Sequence, residues 1–135
     1  MINQAVIFCG GYGTRLLPLT HDLPKPMVEV DGKPFLLHLI NQCKDNGIKN
    51  FLLLCGYKKE KIHDYFLDGS KFGVNIKYHD NSADTQTLKR LLDAKKLLSQ
   101  KFLLLYSDNY SSLNLHDMET CFNNFKNNFL VTICK

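Results

Sequence analysis

Residues 4–15 read QAVIFCGGYGTR: a short apolar run is followed directly by a segment with three glycines and an arginine. A continuous apolar run of this length is typical of a parallel strand that is buried on both faces. We therefore predict a strand over residues 4–9 and a glycine-rich loop at its carboxyl end. Because open parallel sheets bind ligands beyond the carboxyl ends of their strands, this loop is the first candidate for a binding site.

Outward from this stretch, apolar runs of strand length alternate with stretches of helical period. The predicted strands are residues 51–55, 74–78, 102–106 and 129–134, and the predicted helices are residues 35–46, 59–66, 87–98 and 117–126. This alternation predicts an α/β fold, a Rossmann-like three-layer sandwich in which helices cover both faces of a mostly parallel sheet.

The helix predicted at residues 87–98 carries both leucines and basic residues. Its expected buried side consists of Leu88, Leu91, Leu92 and Leu98. Lys89 and Arg90 are expected on a solvated surface, with a functional role for Arg90 as the alternative.

The composition fits one globular domain. The 135 residues include 17 basic and 13 acidic side chains, a net charge of +4, which is too weak and too scattered to predict a nucleic-acid surface. The five cysteines form no C-x-x-C pair and several lie in apolar runs, so we expect reduced thiols in the core. We find neither a membrane-spanning stretch nor a signal sequence. We expect a cytoplasmic protein that binds neither nucleic acid nor membranes.

The glycine loop suits the binding of an anion. Without a Cβ, Gly10, Gly11 and Gly13 let backbone N–H groups approach phosphate oxygens closely. The loop is neither a Walker P-loop nor a complete dinucleotide fingerprint, since Leu16 stands where the fingerprint needs a small residue. Arg15 adds a permanently charged guanidinium that suits phosphate. The alternative is a glycine-rich turn that only reverses the chain.

Two more charged residues are candidates for the same site. Lys25 lies between two prolines, which stiffen its segment and lower the entropic cost of placing the ammonium on a phosphate. Asp108 follows the predicted strand 102–106, so its carboxylate is expected at the same sheet edge as the glycine loop, where it could hold Mg²⁺ together with substrate phosphates. The alternatives are a solvated lysine at 25 and an Asx turn or helix cap at 108.

The stretch GGYGTRLLPLTHDLPKPMVEVDGKPFL, residues 10–36, resembles the signature of sugar-1-phosphate nucleotidyltransferases. The resemblance continues at Gly47-Ile48, Cys55-Gly56-Tyr57, Ile62 with Tyr65-Phe66, Phe72-Gly73-Val74 and residues 102–108. It implies a fold of the nucleotide-diphospho-sugar transferase type. It also implies Mg²⁺-dependent attack by a sugar-1-phosphate oxygen on the α-phosphorus of a nucleoside triphosphate, with release of pyrophosphate.

The resemblance further implies a role for each matching residue. Gly10, Gly11, Gly13 and Thr14 would lie against the nucleotide, Arg15 would neutralise the departing pyrophosphate, Lys25 would hold the reacting phosphates, and Asp108 would ligate Mg²⁺.

Residues 84–91, DTQTLKRL, depart from the family by lacking the glycines that many members carry there. The segment is similar to a Thr-x-Thr…Arg-Leu variant of cytidylyltransferases, which slightly favours CTP. Thr85 and Gln86 would then contact the nucleotide, and the amide of Asn81 could read a pyrimidine edge. For Asn81 and Gln86 the alternative is ordinary loop polarity.

Members of this family are longer than 135 residues, and their downstream part supplies most of the sugar pocket, a further lysine and a second metal carboxylate. We therefore expect residues 1–135 to be the N-terminal, nucleotide-binding part of a longer catalytic domain for nucleotide-sugar and surface polysaccharide biosynthesis. Its partners would be a nucleoside triphosphate and a phosphorylated sugar or similar acceptor. Both a monomer and a homo-oligomer are compatible with the sequence. The alternative is a truncated or degenerate nucleotide-binding module without turnover. The incomplete fingerprint disfavours a Rossmann-type oxidoreductase.

Overall fold

The structure is a computed structural model that describes residues 1–125 and 128–132. In chain order its elements are β1 (Gln4–Cys9), β2 (Glu29–Val30), β3 (Lys33–Pro34), α1 (Phe35–Asp45), β4 (Asn50–Cys55), α2 (Lys59–Phe66), β5 (Asn75–Asp80), α3 (Thr87–Asp93), β6 (Leu103–Tyr106) and α4 (Leu115–Asn124). Single 3-10 turns lie at Thr14–Leu16, Lys25–Met27, Ser70–Phe72 and Lys95–Leu97.

The main sheet has four parallel strands in the order β5-β4-β1-β6. Every residue of β1 is buried, as the continuous apolar run predicts. The small sheet formed by β2 and β3 is antiparallel, and both residues of its turn, Asp31 and Gly32, have positive φ. Aspartate followed by glycine is a common pair in such hairpin turns. The predicted α/β fold with a mostly parallel sheet is confirmed.

Alternation along the central strands divides the core into two layers. Ala5 and Ile7 of β1 pack in one cluster with residues of α1, α2 and α4, whereas Val6 and Phe8 pack in the other with Ala94, which follows α3. This is the expected consequence of the two-residue period of a strand. Helices therefore cover both faces of the sheet, which gives the predicted three layers.

The predicted buried side of the third helix is correct only in part: Leu91 and Leu98 pack against the cluster of Val6 and Phe8, but Leu88 and Leu92 do not. Leu88 and Leu92 are 66% and 61% exposed, whereas Arg90 is only 4% exposed. On a helix, two residues that are two positions apart point about 200° apart, so burying Arg90 turns both leucines outward. The helix also ends earlier than predicted, at Asp93, and a 3-10 turn follows at Lys95–Leu97.

The predicted strand at residues 129–134 is not formed over residues 129–132, and residues 133 and 134 lie outside the described residues. Phe129 and Val131 are 77% and 69% exposed. Apolar and β-branched residues form a strand only where neighbouring strands offer pairing and packing, which this segment lacks in the described structure. The last helix ends at Asn124, within the predicted range.

Most of the described cysteines behave as core residues. Cys9, Cys43 and Cys55 are free and buried, and Cys121 is free and partly exposed, while Cys134 lies outside the described residues. In the described part of the chain, no helix is both long enough and apolar enough to cross a bilayer.

The orientation of α3 predicts a contrast between two leucine-to-alanine substitutions in helices. Leu36→Ala should lower the free energy of unfolding by about 2–5 kcal/mol, because Leu36 is fully buried in α1. Leu88→Ala should change it by less than about 0.5 kcal/mol, because the side chain is mostly exposed. Urea denaturation measures both values, and similar losses for the two variants would place Leu88 in the core.

Candidate functional site

A cavity of about 260 Å³ opens at the carboxyl edge of the parallel sheet. Eight of the ten predicted site residues line it, namely Gly10, Gly11, Gly13, Thr14, Arg15, Lys25, Thr85 and Asp108. Asn81 and Gln86 do not line it. The loops after β1, β5 and β6 therefore meet at one place, as the carboxyl ends of neighbouring parallel strands must.

Lys25 and Asp108 form an ion pair inside this cavity. The Lys25 Nζ donates a hydrogen bond to the Asp108 Oδ2 over 2.8 Å, and the two side chains are 30% and 41% exposed. Lys25 comes from the 3-10 turn between buried prolines, and Asp108 comes from the end of β6. A partly solvated pair contributes at most about 1 kcal/mol, so either partner can readily exchange the other for a ligand.

The glycine loop is shaped by contacts to the residues below it. Gly13 has a φ of 65°, and a Cβ there would lie 3.0 Å from both the Lys25 Cβ and the Thr20 Cγ2. The Thr20 Oγ1 also donates a hydrogen bond to the carbonyl oxygen of Gly13. A side chain at Gly11 would meet nothing within 4 Å. Gly13 is therefore required by the fold, while the space beside Gly11 is open for a ligand.

Arg90 was expected on a solvated surface, but it is buried beside the cavity. Its guanidinium donates to four backbone carbonyl oxygens: Cys55 O at 2.9 Å, Gly10 O at 3.2 Å, and Ser82 O and Ala83 O at 2.9 Å each. Burial lowers the pKa of this guanidinium, but arginine stays protonated in proteins. Apolar periodicity counts only apolar residues and therefore cannot detect a buried arginine. The glycines that follow β1 and β4, Gly10 and Gly56, were a usable signal, because they leave space for a large side chain at these strand ends.

Gly10 and Gly56 are glycines because of Arg90. A Cβ on Gly10 would lie 2.3 Å from the Arg90 Nη1, and a Cβ on Gly56 would lie 2.6 Å from the same atom. The guanidinium therefore occupies the space that side chains at these two strand ends would need. This contact adds a structural reason for Gly10 to the predicted one, which was access for phosphate.

The segment of residues 81–86 forms the wall of the cavity opposite the glycine loop. Ala83 and Thr85 line the cavity, but the Asn81 Nδ2 donates to the Asp93 Oδ2 on α3. The Asn81 side chain is therefore turned toward α3, and the structure does not place it where it could read a base. At the outer rim, the Tyr12 hydroxyl donates to the Asp84 Oδ1 over 2.7 Å and links the two walls. This hydrogen bond raises the pKa of Tyr12.

A second group of polar side chains lies outside the cavity. Donor atoms of Cys55, His63 and Asp80 lie within 4.8 Å of one another. Both carboxylate oxygens of Asp80 already have partners, because His63 Nε2 lies 3.0 Å from Oδ1 and Lys59 Nζ lies 3.6 Å from Oδ2. Burial raises the pKa of the Cys55 thiol. A neutral thiol and a competing ammonium make this an ion-pair cluster.

Comparison with known proteins places the chain in a family. Residues 4–135 match the family model described as nucleotidyl transferase. The chain belongs to this family. The match covers the glycine loop, both cavity walls and Asp108.

Relatives of this family member differ in the nucleotide that their names state. A probable glucose-1-phosphate cytidylyltransferase of Bacillus subtilis is 37% identical, over 83% of this chain and 52% of the relative. The UTP–glucose-1-phosphate uridylyltransferase AglF of Haloferax volcanii is 41% identical, over 85% of this chain and 47% of the relative. The chain therefore spans about half the length of the curated relatives it matches.

A solved structure also supports the family fold. The CTP:phosphocholine cytidylyltransferase LicC of Streptococcus pneumoniae superposes with a TM-score of 0.70 and 34% identity, over 84% of this chain and 49% of that chain. The parallel sheet and the loops at its carboxyl edge are thus those of a nucleotidyltransferase.

The packing around Arg90 predicts a difference between two neighbouring glycines. Gly10→Ala should lower the free energy of unfolding by about 1–3 kcal/mol, because the new methyl group overlaps a buried guanidinium. Gly11→Ala is the matched control and should change it by less than about 0.5 kcal/mol, because its Cβ enters open space. Chemical denaturation of both variants tests this, and equal stabilities would remove Arg90 as the reason for a glycine at position 10.

Proposed function

We propose that this chain is the nucleotide-binding part of an enzyme that transfers a nucleoside monophosphate from a nucleoside triphosphate to a sugar-1-phosphate or similar phosphorylated acceptor. Pyrophosphate is released, and the product serves nucleotide-sugar and surface polysaccharide biosynthesis. The observation that carries the proposal is that Arg15, Lys25, Asp108 and the three loop glycines all line one cavity. Membership of the nucleotidyl transferase family supports it.

The reaction needs positioning and charge neutralisation more than covalent catalysis. The backbone N–H groups around Gly11 and Gly13 bind phosphate oxygens in the open part of the loop. Arg15 is exposed beside them and neutralises the departing pyrophosphate. Lys25 holds the reacting phosphates in position for attack by the acceptor oxygen.

The cavity fits a magnesium ion bound through Asp108. Mg²⁺ is usually held by one or two carboxylates together with substrate phosphates, and Asp108 supplies one exposed carboxylate at the cavity. When bound, the ion would supply positive charge beside the phosphates of the nucleoside triphosphate. Asp108 would hold the ion, and the Lys25 ammonium, which pairs with Asp108 in this structure, would bind a phosphate oxygen.

CTP is the slightly favoured nucleotide in this proposal. Support comes from the Thr85-Gln86-Thr87 segment with Arg90, and from relatives named as cytidylyltransferases. The relative named as a uridylyltransferase is about as similar, so UTP is the main competitor.

We place the reaction in the cytoplasm, because free cysteines fit a reducing compartment.

A binding module without turnover is the alternative, because the chain spans only about half the length of its curated relatives. A pyrophosphate-release screen of four nucleoside triphosphates against phosphorylated sugars and phosphocholine separates the two functions. Turnover supports the transferase. Triphosphate binding without pyrophosphate release, both by these 135 residues and by the longest chain that the gene encodes, supports the module.

Asp108→Asn should weaken Mg²⁺-dependent triphosphate binding by about tenfold or more, because the amide is a much poorer ligand for a hard cation. Binding measured in excess chelator should change little. Asp64→Asn, at an exposed position of α2, is the control for the loss of one negative charge. Isothermal titration calorimetry measures triphosphate binding by the wild type and both variants, with Mg²⁺ and with chelator. An unchanged metal dependence in Asp108→Asn would reassign Asp108 to a structural role.

Arg15→Ala should lower kcat for pyrophosphate release by about a hundredfold or more, because it removes the charge that stabilises the leaving group. The melting temperature should stay near that of the wild type, because Arg15 is exposed. Lys61→Ala, at an exposed position of α2, controls for the loss of positive charge. Wild-type turnover in the Arg15→Ala variant would exclude Arg15 from the mechanism.

A further inference from the structure

One buried side chain holds both walls of the cavity. The Arg90 Nη2 donates to Gly10 O on the glycine loop and to Ser82 O and Ala83 O on the opposite wall, while Nη1 donates to Cys55 O at the end of β4. The loops after three neighbouring strands, β1, β4 and β5, are thus tied to a single guanidinium. The distance between the walls depends on the geometry of this group.

The wall at residues 81–86 is attached at both ends. Asn81 N donates to Cys55 O and the Asn81 Nδ2 to the Asp93 Oδ2, while Gln86 O accepts from Arg90 N at the start of α3. Between these ends, Thr85 N donates to Ser82 O over 3.0 Å, which stabilises the turn but does not connect it to the rest of the fold. The hydrogen bond between Tyr12 and Asp84 connects its outer rim to the glycine loop, at an exposed position. Arg90 therefore anchors the buried side of this wall, and Tyr12 anchors the exposed side.

The partners of Arg90 require an arginine. Its planar fork directs several N–H groups at once, whereas a lysine ammonium is a point donor on a flexible stem. The described residues offer it carbonyl oxygens and no carboxylate partner, so its positive charge is not cancelled by an ion pair. Arg90 also lines the cavity. Charge and fork can be separated experimentally, because lysine keeps the first and loses the second.

We propose that Arg90 is a positioning residue that sets the distance between the phosphate-binding glycine loop and the wall at residues 82–86, and so selects the nucleoside of the bound triphosphate. This inference rests on the proposed function. The phosphates of inorganic tripolyphosphate and of a nucleotide both bind at the glycine loop, but only a nucleotide carries a base and a ribose that reach the opposite wall. A loosened wall thus weakens the binding of nucleotides and leaves the binding of tripolyphosphate intact.

The test compares three ligands on matched variants. Isothermal titration calorimetry in Mg²⁺ measures the Kd of CTP, UTP and inorganic tripolyphosphate for the wild-type chain, Arg90→Lys and Lys89→Gln. Lys89 is the neighbouring exposed position on α3, where it pairs with Asp93. Measurements are made well below the melting temperature of each variant, so that loss of the fold does not enter the Kd.

We expect Arg90→Lys to raise the Kd of the preferred nucleotide by about tenfold or more, to reduce the preference between CTP and UTP, and to change the Kd of tripolyphosphate by less than about threefold. Lys89→Gln should leave all three Kd values near those of the wild type. Equal weakening of nucleotides and tripolyphosphate, or no weakening of either, would overturn the proposal while leaving the proposed function in place.

A second variant covers the case in which Arg90→Lys does not fold. Gly56 lies outside the cavity lining, and Gly56→Ala places a methyl group 2.6 Å from the Arg90 Nη1 and 2.7 Å from Gly10 O. It therefore disturbs the guanidinium and its Gly10 partner without removing the arginine. It should weaken nucleotide binding more than tripolyphosphate binding, and equal or absent effects would overturn the proposal. A wild-type chain that binds neither nucleotides nor tripolyphosphate would overturn the proposed function and this inference together.

Discussion

The binding edge of this protein depends on one buried guanidinium. Arg90 donates to the carbonyl oxygens of Cys55 and Gly10 and to two more after β5. Cys55 O, Gly10 O and Ser82 O each accept a backbone N–H as well, so the guanidinium joins carbonyl groups of three loops rather than satisfying isolated ones. Its bulk fills the space beside Gly10 and Gly56, so the sequence of both loops is constrained by an arginine far away in the chain.

The charge of the cavity depends on which of its basic side chains have a carboxylate partner. Lys25 and Asp108 cancel each other across 2.8 Å, whereas the described residues offer no carboxylate partner to Arg15 or Arg90. The residues that line the cavity therefore carry an excess of positive charge, from Arg15 and Arg90, despite the modest net charge of the chain. Such a local excess favours a polyanion over a neutral ligand, in agreement with membership of the nucleotidyl transferase family.

The sequence predicts the parts of the fold in which neighbouring residues share one physical signal. The bounds of β1 and α2 agree with the predictions, because continuous apolar runs and helical periodicity are local. The buried face of α3 could not be predicted in full. Apolar periodicity counts Leu88 and Leu92 and ignores the hydrogen-bond acceptors that draw Arg90 into the interior. Residues 129–134 carry strand propensity without a described partner strand. The Asn81 side chain points away from the cavity, because the Asp93 carboxylate on α3 accepts a hydrogen bond from its amide.

The ion pair between Lys25 and Asp108 has a thermodynamic consequence for ligand uptake. In the ligand-free cavity each charge satisfies the other, so a cation at the carboxylate and an anion at the ammonium each release the group that the other needs. Under the proposed function, the two binding equilibria are then linked, and each ligand strengthens the other by the same factor. The cavity would favour a preassembled metal–nucleotide complex over either component alone, and positive cooperativity would arise without movement of the backbone.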